Sequence, residues 1–153
     1  MPQTKTYKFI VVEDEPLIRR NILKKISALE LPLESVGDAE NGKAALQLAE
    51  THFPHLVITD IRMPVMDGLQ LAQCLYEKYP QIRCIILSGY DDFKYAQTAL
   101  KYGVCDFLLK PVKIEELKSA LQRVLVQLDA VHQSQSQMDA QGLSAEEPNH
   151  LLV

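Results

Sequence analysis

The chain has 153 residues, 47% of them hydrophobic and 24% charged, which suits one domain with a single core. Its formal net charge of −4, without a basic block, argues against direct binding of nucleic acid. Three widely spaced cysteines fit neither a disulfide framework nor a zinc site. No apolar run approaches the roughly 18 residues of a membrane span, so we expect a soluble, cytoplasmic protein without membrane contact.

The first apolar run, residues 9–12, is typical of a parallel strand covered on both faces. It ends abruptly in Glu13 and Asp14. Pro16 then suits the first turn of a helix, and Ile18, Ile22 and Ile26 follow at helical spacing. The sequence therefore predicts a strand that ends in carboxylates directly before an amphipathic helix.

The alternation of strand and helix recurs along the chain. Further strands are predicted at residues 33–39, 56–59, 84–87 and 104–109, with helical patterns between and after them, including one over 91–102. Short connections and right-handed crossovers then leave little choice but a parallel sheet. We predict a doubly wound α/β domain with a five-stranded parallel sheet and helices on both faces.

The composition changes near the end of the chain. Residues 129–153 are rich in Gln, Ser and Glu and cannot supply a core, so we expect a disordered polar linker or tail there. Residues 1–7 are expected to form an N-terminal extension and residues 8–128 the folded domain.

Polar residues stand where four of the predicted strands end. Glu13 and Asp14 follow the first strand, Asp60 the third, Ser88 the fourth and Lys110 the fifth. Because the carboxyl ends of parallel strands lie at one edge of the sheet, these side chains can converge. Clustered carboxylates repel one another unless a cation neutralises them, and hard oxygen ligands favour Mg²⁺. The sequence therefore predicts a magnesium site at this edge.

Such a site suits phosphoryl transfer to a carboxylate. Magnesium binds through one or two carboxylates together with phosphate oxygens. The ammonium of Lys110 and the hydroxyl of Ser88 fit the remaining oxygens of a phosphoryl group. No general base is needed, because an aspartate is already ionised at neutral pH.

In this order and at these positions, the polar residues resemble the receiver domains of two-component response regulators. The resemblance runs from Lys8 to about Leu128 and implies the flavodoxin-like receiver fold. It also implies a signalling domain rather than an enzyme in the usual sense, with only slow Mg²⁺-dependent self-dephosphorylation. The motifs that carry it are Val11-Val12-Glu13-Asp14-Glu15, Asp60-Ile61-Arg62-Met63-Pro64-Val65-Met66-Asp67-Gly68, Leu87-Ser88-Gly89 and Lys110-Pro111.

The resemblance assigns roles to the residues of the metal site. Asp60 is implied to be the phosphoacceptor, and Asp14 and Asp60 are implied to bind Mg²⁺ directly. Glu13 is implied to act through a metal-bound water. The backbone carbonyl of Arg62 is implied to be a further ligand.

It also assigns a switch. Ser88 is the implied hydroxyl that turns toward the phosphoryl group, and Phe107 is the aromatic that rotates inward behind it, at a position where many members have tyrosine. A cis Lys110–Pro111 bond is implied as well, since a proline lowers the cost of the cis form to about 0.5–1 kcal/mol.

The implied phosphodonor is a sensor histidine kinase. Phosphorylation is expected to rearrange the face of the fourth helix, fifth strand and fifth helix and to promote a homodimer, with the apolar row from Leu117 to Leu128 as a candidate seam. Residues 88–96 further resemble receivers fused to AraC-type helix-turn-helix output domains. DNA binding is therefore expected of an output domain outside this chain and not of the chain itself.

Several residues also have simpler interpretations. Glu13 and Asp14 can serve as N-terminal charges for the following helix, and Phe107 can belong to the core. A basic stripe on the first helix indicates a solvated face, with kinase docking as the alternative. The stripe consists of Arg19, Arg20, Lys24 and Lys25, and the histidines His52, His55, His132 and His150 are expected at the surface.

Two other functions are weaker alternatives. Haloacid-dehalogenase-like phosphatases also use a strand-end aspartate and Mg²⁺, but they need an acid/base aspartate two residues later, where this chain has Arg62. A flavodoxin-like or nucleotide-binding module needs a phosphate-binding loop after the first strand, and no glycine-rich loop follows it here.

Overall fold

The computed structural model describes residues 5–140. Its sheet has five strands, all neighbours are parallel, and the strand order is β2-β1-β3-β4-β5. The predicted five-stranded parallel sheet is therefore confirmed. The strands are β1 (Tyr7–Val12), β2 (Leu33–Ala39), β3 (Leu56–Asp60), β4 (Arg83–Ser88) and β5 (Asp106–Leu109).

Helices cover both faces of the sheet, as predicted. On one face, the buried side chains of Ile10 and Val57 pack against α2 and α3, and Ile86 packs beside α4. On the other face, α1 buries Ile22 and Ile26. The helices are α1 (Pro16–Ala28), α2 (Gly42–His52), α3 (Gly68–Lys78), α4 (Phe93–Ala99) and α5 (Ile114–Ala140), with short 3₁₀ turns at Tyr90–Asp92 and Leu100–Tyr102.

Local capping fixes where the helices begin. The Asn41 side chain accepts a hydrogen bond from the Ala44 amide at 2.8 Å at the start of α2. At the start of α3, Asp67 and Gln70 form a reciprocal capping box, with hydrogen bonds of 2.8 and 2.9 Å. Such caps satisfy amides that the first helical turn leaves unpaired. They therefore set the length of the loops that leave the carboxyl edge of the sheet.

The described residues fall into two compact units, one up to Ala120 and one from Leu121 to Ala140. The expectation of a disordered tail is wrong for residues 129–140, which continue α5 to Ala140. This stretch contains neither proline nor glycine, so no residue in it terminates the helix. The rest of the predicted tail, 141–153, lies outside the described residues.

The N-terminal boundary of the domain also differs from the prediction by one residue. Tyr7, assigned to the extension, is the first residue of β1 and pairs with Leu33.

The region from residue 90 to 109 is more broken than predicted. The helix expected over 91–102 is a short α4 between two 3₁₀ turns. Gly103 ends it with a left-handed φ of 67°. The fifth strand begins at Asp106 rather than at residue 104, although the Cys105 amide already donates to the Cys84 carbonyl at 2.8 Å.

One histidine departs from its predicted surface position. His55 is half-buried, and its Nδ1 accepts a hydrogen bond from the Lys8 amide at 3.0 Å. Its ring also contacts Tyr7 edge to face, with centroids 5.0 Å apart. Burial lowers the pKa of His55, and the charges of Lys5 and Lys8 lower it further. His52 and His132 are exposed as expected, and His150 lies outside the described residues.

Within residues 5–140, no helix combines the length and the apolar character that are needed to cross a membrane.

Candidate metal and phosphoryl site

Three carboxylates meet at the carboxyl edge of the sheet. Carboxylate oxygens of Glu13, Asp14 and Asp60 lie within 4.8 Å of one another. They meet because β1 and β3 are neighbours, with Val12 opposite Thr59, so that both strands end side by side. Glu13 and Asp60 are only 1% and 5% exposed, whereas Asp14 is more open to solvent. The predicted acidic cluster is therefore present and partly withdrawn from water.

Lys110 supplies a cation to this cluster. Its Nζ donates to Glu13 Oε1 at 3.1 Å and to Asp60 Oδ2 at 3.0 Å. Burial opposes the charged ammonium, but the hydrogen bonds and charges of Asp60 and Glu13 outweigh burial and raise the pKa of Lys110. Lys110 thus remains an ammonium within reach of two carboxylates. Its bond to Pro111 is cis, as the resemblance implied.

The pKa of Asp14 indicates that the single positive charge of Lys110 does not neutralise the carboxylate cluster. The pKa of Asp14 is raised above its ordinary value, first by a hydrogen bond with Glu13, then by burial and by the negative charge of Glu13. The positive charge of Lys110 offsets this only in part. A further cation is therefore favoured here, and a donor set of carboxylate oxygens fits Mg²⁺.

The backbone around Asp60 holds its carboxylate in place. The Ile61 amide donates to Asp60 Oδ1 at 2.8 Å, while Oδ2 faces Lys110. The loop after β3 then folds back, because the Gly68 amide donates to the Ile61 carbonyl at 2.8 Å. A Cβ on Gly68 would lie only 2.1 Å from the Asp60 carbonyl oxygen, so this close approach requires glycine.

A cavity of about 400 Å³ opens beside Asp14. Arg62 and Asp14 border the same cavity, which is compatible with the predicted ligand role of the Arg62 backbone carbonyl. The Arg62 side chain turns away to pair with Asp92 and lies over the Tyr95 ring, 5.7 Å from its centroid. The full lining is Asp14, Ile61, Arg62, Met63, Pro64, Asp67 and Tyr95.

The two predicted switch residues have different environments. Ser88 ends β4, is 3% exposed, and accepts a hydrogen bond through its carbonyl from the Lys110 amide at 2.8 Å. Phe107 lies on β5 and packs against a buried cluster that includes Ile61 and Cys84. This contact is what the core interpretation of Phe107 requires, and its inward rotation stays a prediction.

Two residues of the basic stripe make hydrogen bonds within the chain instead of facing solvent freely. Arg19 donates through Nη1 to the Glu13 carbonyl and through Nε to Asp38 Oδ2, both at 2.6 Å. Lys25 Nζ donates to the Val112 carbonyl at 2.8 Å. The prediction of a solvated face is therefore wrong for these two residues, whereas Arg20 and Lys24 are exposed. Arg19 is a supporting residue of the site that the helical spacing did not reveal.

The fold and the site define the receiver class of α/β signalling domains. Residues 9–122 match the sequence profile described as the response regulator receiver domain. The chain belongs to this family, and is therefore a receiver domain of a two-component system. This finding favours the response-regulator interpretation over the phosphatase and the nucleotide-binding alternatives.

Two curated relatives of the chain are longer regulators. The chain is 37% identical over 122 residues to the uncharacterized transcriptional regulatory protein YesN of Bacillus subtilis, covering 80% of this chain and 33% of that protein. It is 38% identical over 123 residues to the uncharacterized response regulatory protein VC_A0850 of Vibrio cholerae, covering 80% and 46%. The chain thus spans less than half the length of these two relatives.

Solved structures agree on the fold. The receiver domain of AraT, a response regulator from Geobacillus stearothermophilus, superposes with a TM-score of 0.79 at 37% identity, covering 83% of this chain and 98% of that one. A two-component transcriptional regulator AraC from Clostridium phytofermentans gives a TM-score of 0.71 at 31% identity, covering 82% and 99%. The likeness to receivers of AraC-type regulators is therefore confirmed.

Proposed function

We propose that Asp60 accepts a phosphoryl group from a sensor histidine kinase, with Mg²⁺ held by Asp14, Asp60 and the Arg62 carbonyl and, through water, by Glu13. The observation that carries this proposal is the contact of one ammonium, Lys110, with both Asp60 and Glu13 inside a cluster of three carboxylates. When bound, Mg²⁺ supplies positive charge to the phosphoryl oxygens.

Residues of the chain form the new bond to phosphorus and stabilise the charge that develops on its oxygens. A carboxylate oxygen of Asp60 forms the new O–P bond while the N–P bond to the donor imidazole breaks, and the imidazole nitrogen leaves with the electron pair and takes up a proton. The Ile61 amide keeps the carboxylate oriented through Oδ1. The Lys110 ammonium and the Ser88 hydroxyl bind phosphoryl oxygens, where developing negative charge is stabilised by fixed donors.

The direct test is phosphorylation with a small-molecule donor. After incubation with acetyl phosphate and Mg²⁺, intact mass should show one phosphoryl adduct that base or hydroxylamine removes. Asp60→Asn should show none, because it lacks the nucleophilic oxygen. Asp91→Asn changes an exposed aspartate outside the cluster and is the matched control. An unmodified wild-type chain, or an equal adduct on Asp60→Asn, would contradict the proposal.

Asp14→Asn tests the metal and the pH dependence together. Because the fold raises the pKa of Asp14 above 3.8, ionised Asp14 costs stability at neutral pH. In EDTA at pH 7, Asp14→Asn should therefore unfold at a higher urea concentration than wild type, by at most about 1 kcal/mol because the group is partly solvated. The difference should shrink as the pH falls through the raised pKa and vanish below 3.8.

With magnesium present, the wild type should be more stable to urea than Asp14→Asn. The ion binds the folded chain, so it should raise wild-type stability with increasing concentration. Asp14→Asn should gain less because it has lost a ligand. Equal gains in the two proteins would show that Asp14 does not hold the metal.

The kinase partner has a candidate docking surface beside the site. A cavity of about 410 Å³ lies between α1 and the segment after β5 and includes Lys110 in its lining. Leu17, nearby on α1, is 72% exposed. We propose that this surface receives the kinase, and unchanged transfer rates in an Ile18→Ala, Arg19→Ala variant would argue against it.

Dimerisation on phosphorylation remains part of the proposal, but through other residues than the predicted seam. Leu117, the first residue of that row, is already fully buried in the single chain, so it is not available to a partner. Exposed apolar side chains instead lie around α4 and β5, where Leu100 is 61% and Leu109 39% exposed. Light scattering with and without beryllofluoride, a phosphoryl mimic, tests this, and a monomer in both conditions would contradict it.

The finer regulatory role is proposed by analogy with the longer relatives. The chain would control a DNA-binding output domain that is not part of its described residues, and it would reset by slow hydrolysis of the Asp60 phosphate.

A further inference from the structure

An ion pair connects the loop after β3 to the start of α4. Arg62 Nε donates to Asp92 Oδ1, and the two side chains differ sharply in exposure, at 67% for Arg62 and 10% for Asp92. Asp92 precedes the first residue of α4, and its amide donates to the Gly89 carbonyl at 3.1 Å. The pair thus joins the second residue after Asp60 to the segment that follows Ser88.

Arg62 is one of the residues that line the cavity beside Asp14. It shares the lining of that cavity with Asp14 and Tyr95, and its guanidinium lies over the Tyr95 ring. A phosphorylated Asp60 would carry a charge of about −2 in place of the single charge of the carboxylate. Guanidinium groups bind phosphate oxygens through paired hydrogen bonds. The phosphoryl group and Asp92 would therefore compete for the same cation.

If the Arg62 guanidinium left the ion pair, the free energy of the Asp92 carboxylate in its present buried position would rise. A buried carboxylate without a partner is strongly unfavourable, and it regains hydration only if its segment moves toward solvent. Gly89 does not crowd this carboxylate, since a Cβ on Gly89 would still lie 3.7 Å from Asp92 Oδ2. Because Asp92 directly precedes α4, a movement of its carboxylate toward solvent would displace the start of that helix.

We propose that Arg62 is a positioning residue that couples Asp60 phosphorylation to α4, by exchanging Asp92 for the phosphoryl group and so releasing the start of that helix. This inference rests on the proposed phosphorylation of Asp60 and goes beyond it, since it names the ion pair that transmits the change. Arg62 takes no part in the bond making at phosphorus.

The test is hydrogen exchange of the 93–99 peptide with and without beryllofluoride and Mg²⁺, read by mass spectrometry. In the wild type, beryllofluoride should accelerate exchange about five- to tenfold, because the start of α4 loses one ion pair. Arg62→Met and Asp92→Asn should exchange fast without beryllofluoride and gain little from it. Arg20→Met removes an exposed arginine from α1 and should behave like the wild type.

Further controls distinguish the loss of this coupling from a general loosening of the fold and from a failure of phosphorylation. The double variant should match either single variant, because the same pair is already lost. The β4 peptide is the internal reference for any general loosening of the fold. If beryllofluoride binds to all variants and accelerates exchange equally, the coupling is overturned while the phosphoacceptor role stands. If the wild type binds no beryllofluoride, as measured by ¹⁹F NMR, both proposals fail.

Discussion

Replacing Gly68 with alanine should destabilise the domain by about 3 kcal/mol, at the upper end of the cost of forcing an extra methyl into a packed site. A Cβ at this position would lie 2.1 Å from the Asp60 carbonyl oxygen and 3.0 Å from Ile61 Cα. Both atoms belong to the backbone, so no side-chain rotation relieves the clash. The loop after β3 has to separate from the end of the strand, which also disturbs Asp60.

Gly89 provides the control for this experiment. A Cβ on Gly89 would meet only Asp92 Oδ2, at an ordinary contact distance of 3.7 Å. Gly89→Ala should therefore change stability by less than about 1 kcal/mol in urea unfolding, since it mainly restricts the unfolded chain. If Gly68→Ala unfolds at the same urea concentration as Gly89→Ala, the close approach at Asp60 is not a constraint on the fold.

Replacing Lys110 with methionine should slow phosphorylation of Asp60 by acetyl phosphate about 100-fold, the usual cost of removing one fixed donor to developing negative charge. Methionine keeps much of the apolar stem but has no ammonium. Glu13 and Asp60, both nearly buried, then face each other without the hydrogen bonds that Lys110 makes at 3.1 and 3.0 Å. The rate should be followed by intact mass at saturating Mg²⁺, so that weakened metal binding does not contribute.

Lys113 is the matched control for Lys110. It lies three residues further along the chain and is exposed, so Lys113→Met should be phosphorylated at the wild-type rate. A Lys110→Met protein that is labelled as fast as Lys113→Met would exclude Lys110 from the reaction and leave it a structural counter-ion.

The sequence predicted where the polar residues converge, because that depends only on the order of the strands along the chain. Once the strands are known to be parallel, any residue that ends a strand lies at the same edge of the sheet. Glu13, Asp60 and Ser88 are found at that edge for this reason alone. To predict that these residues lie close together, only the positions of the strands were needed and not the details of side-chain packing.

The contacts between elements could not be read in the same way. Arg19 and Asp38 meet because β2 pairs with β1, which brings Asp38 opposite Val11, and neither helical spacing nor charge order encodes that proximity. The pair of Arg62 and Asp92 depends on a broken helix that periodicity predicted as continuous. The extension of α5 was missed because a polar composition was interpreted as disorder, whereas residues 129–140 contain no helix breaker.

The imbalance of charge at the carboxylate cluster has a kinetic consequence. Three carboxylates and one ammonium leave a negative field at the mouth of the site. Such a field draws divalent cations toward the site and repels anionic phosphodonors, more strongly at low ionic strength. Under the proposed function, the order of encounter is thereby biased: the metal would arrive first, and its charge would turn an anion-repelling site into one that a phosphorylated partner can approach.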